Sequence, residues 1–474
     1  MAYQMEAAFV WEGGMTNRRI AIFSPYATVS PHFETELELA QRHLDQSDSV
    51  DCYSCFGALA CCDFNSERLE HRCTECVARR RHGYSLLDGN FNQFHLTSHV
   101  LPKELVGRVT GVRTIEQLKS IRVEDFDIGY AVLSSLVSKL RDPEPNLAEH
   151  RQLVERLFEA AFSVYLSTCK SLEQFHYDRV YVFNGRFASM RAVLRACQKV
   201  GVNCCIHERG CSVNHFSIYT NHLPHDIEPM QKLIRDTWKN AGPGPRRDEI
   251  AQTWFHNRRY GVEKNWTSFT KDQVPGLPAN WDTRRRNIVL FTSSDDEFVA
   301  IGDSWKHQLY KSQLDGVTQI AKSLGRMDPS CHLWLRMHPN LANTDHSAKR
   351  QMAAIKLPNL TVIAPDSICS SYELLDAATT VATFGSSIGI EAAYWHKPSV
   401  LLGPCYYQRM GATYEPQTHN EVVKTLSQNL KPLDNIAAKQ YGYYFNSFGT
   451  RFQYFEPDGW YHGRFRGEVV YAKS

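Results

Sequence analysis

Hydroxyls, glycines and a carboxylate crowd the stretch Thr383-Phe384-Gly385-Ser386-Ser387-Ile388-Gly389-Ile390-Glu391. It reads as a strand turning through Gly385 into a helix. Free N–H groups at a helix start, with the hydroxyls of Ser386 and Ser387 beside them, favour anions and phosphate above all. The helix dipole alone contributes about 0.3–1 kcal/mol at an exposed site, so a second cationic or hydrogen-bonding group is expected. The competing reading of Ser387 is a plain helix cap. Glu391 follows Ser387 by four residues, whereas a capping box needs three. That leaves Glu391 to accept ribose hydroxyls or to stand as a surface charge. In Leu335-Arg336-Met337-His338-Pro339-Asn340, Pro339 stops a strand and sets His338 at its end, with Arg336 beside it. An imidazole there can hydrogen-bond a donor phosphate and help a nucleotide leave. Ser293 and Ser294, at the end of another strand, can meet a phosphate or base. The acids Asp295, Asp296 and Glu297 that follow can equally cap a helix.

Transfer to a hydroxyl also needs a group that takes its proton. Glu208, in Ile206-His207-Glu208-Arg209-Gly210, is one candidate; a structural pairing with Arg209 or Arg186 is the alternative. His32, Glu34 and Glu36 are the others. On a helical wheel Glu36 lies about 60° and Glu34 about 100° from the Phe33/Leu37 stripe. Both acids can also simply complement the helix dipole. Asn184 and Arg186, in a loop after a strand, suit an acceptor sugar or an acidic group.

Six cysteines fall between Cys52 and Cys76, including Cys73-Thr-Glu-Cys76. Paired knuckles of this kind supply four thiolates to a tetrahedral zinc. The expected ligands are Cys55, Cys73, Cys76 and one of Cys61 or Cys62, with Cys62 chosen. The site would be structural zinc; an iron–sulfur cluster or buried free thiols are the alternatives. Arg79-Arg80-Arg81 reads as solvated charge.

These residues need elements to position them. Ile20–Phe23, Val50–Tyr53, Arg179–Phe183 and Val202–Ile206 read as strands. Helices 33–44, 149–175 and 188–200 accompany them. A second series of strands lies at Asn287–Phe291, His332–Met337, Leu360–Ile363, Thr380–Phe384 and Ser399–Leu402, with helices at about 308–325, 371–377 and 387–396. Strands alternating with helices mean parallel α/β sheets, whose ligands sit at the strands' carboxyl ends. The expected domains are 17–240 (with a cysteine-rich insertion, 52–82), a crossover over 241–286, and 287–430. An aromatic tail, 431–474, is expected to pack back on the interface between them. A net charge of +2 gives no field for nucleic acid. No apolar run approaches a membrane span of about 20 residues, so membrane association is at most peripheral. Met1–Gly14 has no basic start and apolar core, which points to the cytoplasm.

His338-Pro339, followed downstream by Ser386-Ser387, Glu391-Ala392 and Lys397-Pro398, resembles the capsular polysaccharide biosynthesis glycosyltransferases, the Kdo transferases among them. Glu208 and Gly210 match a Glu-x-Gly of that family more loosely. The resemblance spans roughly residues 285–405. It implies a GT-B fold, with two Rossmann-like domains facing across a cleft, and catalysis without a metal. It also implies a cytidine donor, such as a CMP-linked Kdo or sialic-type sugar, and a polysaccharide or glycolipid acceptor. His338, Ser386 and Ser387 would contact the donor phosphate and Glu391 would lie by the nucleotide. The alternatives are a CDP-alditol or UDP-sugar transferase of the same fold, or a non-catalytic zinc-stapled scaffold.

Overall fold

The computed structural model describes residues 17–264 and 267–470, so Met1–Gly14 lies outside the described residues. The chain forms two compact units: residues up to Asp226 with those from Phe448 onward, and Ile227–Ser447. In chain order the main strands are β1 (Arg19–Ser24), β2 (Ser49–Ser54), β3 (Asn92–His95), β4 (Arg179–Phe183), β5 (Cys204–Arg209), β6 (His215–Thr220), β7 (Arg286–Phe291), β8 (Cys331–Arg336), β9 (Leu360–Ile363), β10 (Thr380–Thr383), β11 (Ser399–Leu401) and β12 (Thr450–Arg451).

The first unit carries a seven-stranded sheet in the order β12-β6-β5-β4-β1-β2-β3, besides a small three-stranded one within 455–469. Its five strands from β5 to β3 are parallel. The two at the far edge, β6 and β12, run antiparallel to their neighbours. Ile20, Ala21, Ile22 and Phe23 are all buried, the continuous apolar run expected of a strand covered on both faces. The helix His32–Asp45 buries the predicted Phe33/Leu37/Ala40 stripe, but Glu34, Glu36 and Glu38 are buried too. Each of these carboxylates has at least one hydrogen-bonding partner. Glu38 accepts the backbone N–H groups of Gln453, Tyr454 and Phe455 at 2.8, 2.8 and 3.1 Å, and Arg42 Nε at 2.7 Å. This ties the segment after β12 to that helix.

The second unit holds a five-stranded parallel sheet, β11-β10-β7-β8-β9. The stretch 241–286, read as a crossover, contains a helix, Pro245–Arg259, with Pro245 in its first turn where the lost N–H costs nothing. It packs on the helix Ile436–Ser447. A Cβ at Gly442 would fall 2.5 Å from the Phe255 ring, so only glycine permits that approach. Trp254 meets Tyr441 and Phe445 at ring separations of 5.4 and 6.3 Å. The aromatic tail thus divides, with Tyr441–Phe445 in the second unit and Phe452 and Phe455 in the core of the first.

In both large sheets the chain lays two further strands to one side of its first and then crosses to the other. The order reverses between β1 and β4, and again between β7 and β10. Such a reversal opens a crevice at the strands' carboxyl ends. Among the described residues no helix is long and apolar enough to cross a membrane.

Candidate functional site

The reversal in the second unit is where the sequence motifs converge. A cavity of about 80 Å³ there is lined by Arg336, His338 and Pro339 after β8, by Ser386 and Ser387 after β10, and by Glu391. Gly385, with φ of 109°, makes the turn; a Cβ on it would lie 2.4 Å from the Pro404 carbonyl. The His338 backbone N–H donates to Thr292 Oγ1 at 2.8 Å, which fixes the end of β8 against that of β7. Its Nδ1 accepts the Asn340 N–H at 3.2 Å. A neutral imidazole therefore carries its proton on Nε2 and is a donor there. Arg336 is buried, donating to the carbonyls of Ala364 and, at 3.0 Å, Ser367, while its Nε has no hydrogen-bond partner. Burial lowers its pKa from the ordinary value, yet a guanidinium does not lose its proton at neutral pH. A buried cation held by neutral carbonyls favours an anion at the cavity.

Ser387 does not cap its helix. Its hydroxyl donates to Glu391 Oε1 at 2.9 Å. Glu391, read as a ribose acceptor or a surface charge, is engaged within the protein. It is buried, and Oε1 also takes Arg258 Nε at 2.9 Å while Oε2 takes the Tyr372 hydroxyl. Arg258 Nη2 reaches Ser387 Oγ at 2.8 Å, and Arg258 lines the same cavity. Burial opposes its charge, but Glu391 and Tyr372 outweigh that and raise its pKa. Arg258 is a cation beside the helix start, where a second cationic or hydrogen-bonding group is expected. It sits at the end of Pro245–Arg259, in a stretch with no strand-end cue. Phe269, Thr270 and Gln273 line the cavity from the same stretch. Ser293 and Ser294 are buried beside it but do not line it. Ser293 N–H bonds Gln313 Oε1 at 3.0 Å, and Ser294 Oγ accepts Asn340 Nδ2 at 3.1 Å.

In the first unit the predicted residues fall at the reversal between β1 and β4. Glu34 is buried and paired with Arg79, so its charge is spent on that ion pair. Arg79 and Arg80 are themselves buried, not solvated: Arg80 bonds Ser24 through Oγ at 2.8 Å and the carbonyl at 2.7 Å. Glu36 is buried, accepts the Ser24 hydroxyl, and lies 3.6 Å from His207 Nε2. His32 is partly buried, its ring 3.7 Å from that of Phe183 and tilted by 32°. Burial, then Arg209 and His207, hold its pKa well below the usual imidazole range. Glu208 is also partly exposed; it accepts Asn184 Nδ2 and, at 3.2 Å, the Arg209 N–H. Burial raises its pKa against these bonds. Asn184 adopts φ of 57°, and its Oδ1 accepts the Arg186 N–H at 3.2 Å. Arg186 lies 4.6 Å over the Phe187 ring.

The expected zinc site is not seen among the described residues. Zinc draws four sulfurs to about 2.3 Å of one point, and among the described residues no group of three or more His, Cys, Asp or Glu is so gathered. Cys55, Cys62, Cys73 and Cys76 instead stand around a second cavity. Cys52 is buried in β2, and Cys61 is buried without lining that cavity.

No curated protein matches the chain. Among solved structures, a beta-Kdo 2,4-transferase of Thermosulfurimonas dismutans is similar at 12% identity over 56% of this chain and 79% of its own, with a TM-score of 0.39. A beta-Kdo 2,7-transferase of the same organism gives 15%, 59%, 80% and 0.34. A UDP-N-acetylglucosamine 2-epimerase of Neisseria meningitidis, bound to UDP-GlcNAc, gives 10%, 91%, 94% and 0.26. These likenesses carry no argument about activity. Residues 280–441, which include His338, Ser386, Ser387 and Glu391, match the family described as capsule polysaccharide biosynthesis protein, the family that these motifs resemble.

Proposed function

We propose that this chain is a glycosyltransferase of GT-B type that moves a sugar from a nucleotide donor to a glycan or lipid-linked acceptor. The observation that carries the proposal is the cavity that brings His338, Ser386 and Ser387 together with the cations Arg258 and Arg336. Transfer from a nucleotide sugar leaves negative charge on the departing phosphate. Fixed donors aimed at that charge stabilise the transition state. In this reading Arg258, Ser386 and the Nε2–H of His338 hold the donor phosphate, and Arg336 supplies buried positive charge behind them. Glu391 orients Arg258 and Ser387 and does not touch the ribose.

The first unit would bind the acceptor. Of the four candidate bases, Glu34 and Glu36 are buried and engaged. For His32, burial and then Arg209 lower the pKa and disfavour the imidazolium that a base must form. Glu208 remains, partly exposed and with a raised pKa, as the group that takes the acceptor proton. Asn184 orients it, and Arg186 would meet an acidic acceptor group.

The family matched over residues 280–441 supports a donor used in capsule synthesis. We assign a CMP-linked acidic sugar, with a CDP-alditol or UDP-sugar as the competing donors. Calorimetric titration with CMP, UDP and GDP separates them. CMP is expected to bind at least tenfold more tightly than the other two; no binding by any of them removes the transferase reading. His338→Ala is expected to lower turnover about 100-fold or more. Its stability should fall by only about 1 kcal/mol, because one backbone N–H loses its acceptor. Wild-type turnover in this variant would take His338 out of the mechanism.

A further inference from the structure

Residues 267–273 run along the cavity of the second unit, outside the stretch 280–441 that matches the family. Hydrogen bonds tie this strap at both ends. Thr270 Oγ1 donates to the Arg258 carbonyl at 2.8 Å and accepts from Ser268 Oγ at 3.0 Å. Gln273 Oε1 accepts the Ser371 N–H at 2.7 Å, and the Val274 N–H donates to the Ile368 carbonyl at 2.8 Å. A backbone N–H can only donate, so the Gln273 atom facing Ser371 is the amide oxygen. The NH2 end makes no hydrogen bond among the described residues, and Gln273 lines the cavity. Taking this cavity as the donor site, as above, we propose that Gln273 selects the base of the nucleotide donor, cytosine over uracil. Its Nε2 donates to N3 of the base while Phe269 stacks on the base's face.

The two pyrimidines differ in what they offer at that edge. Cytosine N3 is an acceptor beside the acceptor O2, whereas uracil carries a proton on N3. A group that can only donate bonds the first and meets a like donor on the second. A free glutamine could turn its amide over and serve either base. Here the Ser371 N–H removes that freedom, because turning the amide would set NH2 against N–H and leave both unpaired. The wrong base is thus refused by an unpaired donor rather than by loss of attraction alone. Stacking adds affinity without choice, since every base has a π-face. Phe269 lines the cavity, is 36% exposed, and lies 5.5 Å from the His338 ring at 78° to it. That puts an open aromatic ring beside the imidazole assigned to the phosphate. The hydroxyls of Ser268 and Thr270 spend their protons within the strap and on Arg258, so they hold the strap's shape.

Calorimetric titration of the full chain with CMP and UMP, before and after Gln273→Glu, reads the choice. Glutamate keeps the shape and still accepts the Ser371 N–H, but its other oxygen accepts where the amide donated. The unaltered chain is expected to bind CMP about tenfold more tightly than UMP, or better. In Gln273→Glu that ratio should fall by about tenfold or more, with the thermal midpoint little changed. The added charge repels the phosphate of both nucleotides alike, so the ratio and not either affinity carries the result. If Gln273→Glu does not fold, Gln273→Ala decides by the same ratio, which should fall about fivefold for one lost hydrogen bond. A ratio that does not move, or an unaltered chain that does not prefer CMP, overturns the selection by Gln273 and leaves the donor site standing. An unaltered chain that binds neither nucleotide overturns the donor site and the selection with it.

Discussion

Arg258→Ala is expected to lower kcat/KM by about 100- to 1,000-fold, the range seen when one donor to a developing negative charge is removed. The same variant should lose stability, because Glu391 is 1% exposed and would keep its charge with only Tyr372 and Ser387 as donors. Breaking a buried pair typically costs about 3–5 kcal/mol. The Arg258 side chain is 27% exposed, and solvent screening places the loss near or below the lower end of that range. A second substitution separates the two effects. In Arg258→Ala/Glu391→Gln the buried carboxylate charge at 391 is gone, so urea denaturation should show most of the stability restored. Activity should stay low, because the phosphate has still lost its cation. If Glu391→Gln restores turnover as well, Arg258 serves the fold and not the donor.

The second large effect belongs to the first unit. Asp127 receives Arg191 through Nε at 3.1 Å and through Nη2, and Arg195 through Nε at 2.7 Å and Nη2 at 3.0 Å. Arg191 is fully desolvated, on the helix Ala188–Val200 that follows β4 and the Asn184 loop. Asp127→Ala removes that guanidinium's ion-pair partner and is expected to cost about 3–5 kcal/mol, read as a lower midpoint in chemical denaturation. A change under 1 kcal/mol would mean that Arg191 finds another anion. The pair also sets an acid limit. Burial opposes the Asp127 charge, but the two arginines win and hold its pKa far below the ordinary carboxylate value of about 3.9. A depressed folded-state pKa contributes stability that is complete above the unfolded value and is lost as pH falls through the window below it. Acid unfolding of the wild type should therefore steepen below about pH 4, and the variant should lack that component.

The sheets were legible because buried parallel strands are uninterrupted apolar runs. Ile20–Phe23 and Asn287–Phe291 are bounded by polar residues and fall within β1 and β7. Their carboxyl ends, and hence His338, Ser386 and Ser387, followed from that register. Helices buried on several sides were not legible. Ile128–Leu140 is apolar around most of its circumference and shows no period to read. Glu70–Ser85 presents arginines and cysteines in place of an apolar stripe, so the burial of Arg79 and Arg80 rests on Glu34 and Ser24, which are distant in sequence. Glu391 shows the limit of spacing arguments. Its distance from Ser387 correctly removes it from capping, but its true partners come from residues 258 and 372. Arg258 was missed for the same reason, because prolines and glycines around it read as a break between domains.

The three N–H groups that Glu38 accepts from residues 453–455 bear on the order in which the protein is made. The helix His32–Asp45 leaves the ribosome early, yet the backbone that neutralises Glu38 and the strand β12 that completes its sheet are translated only after the whole of Ile227–Ser447. At roughly 5–20 residues per second, the first unit waits tens of seconds with Glu38 held by Arg42 alone and the outer edge of β6 unpaired. The second unit, continuous in the chain, can finish folding during that interval.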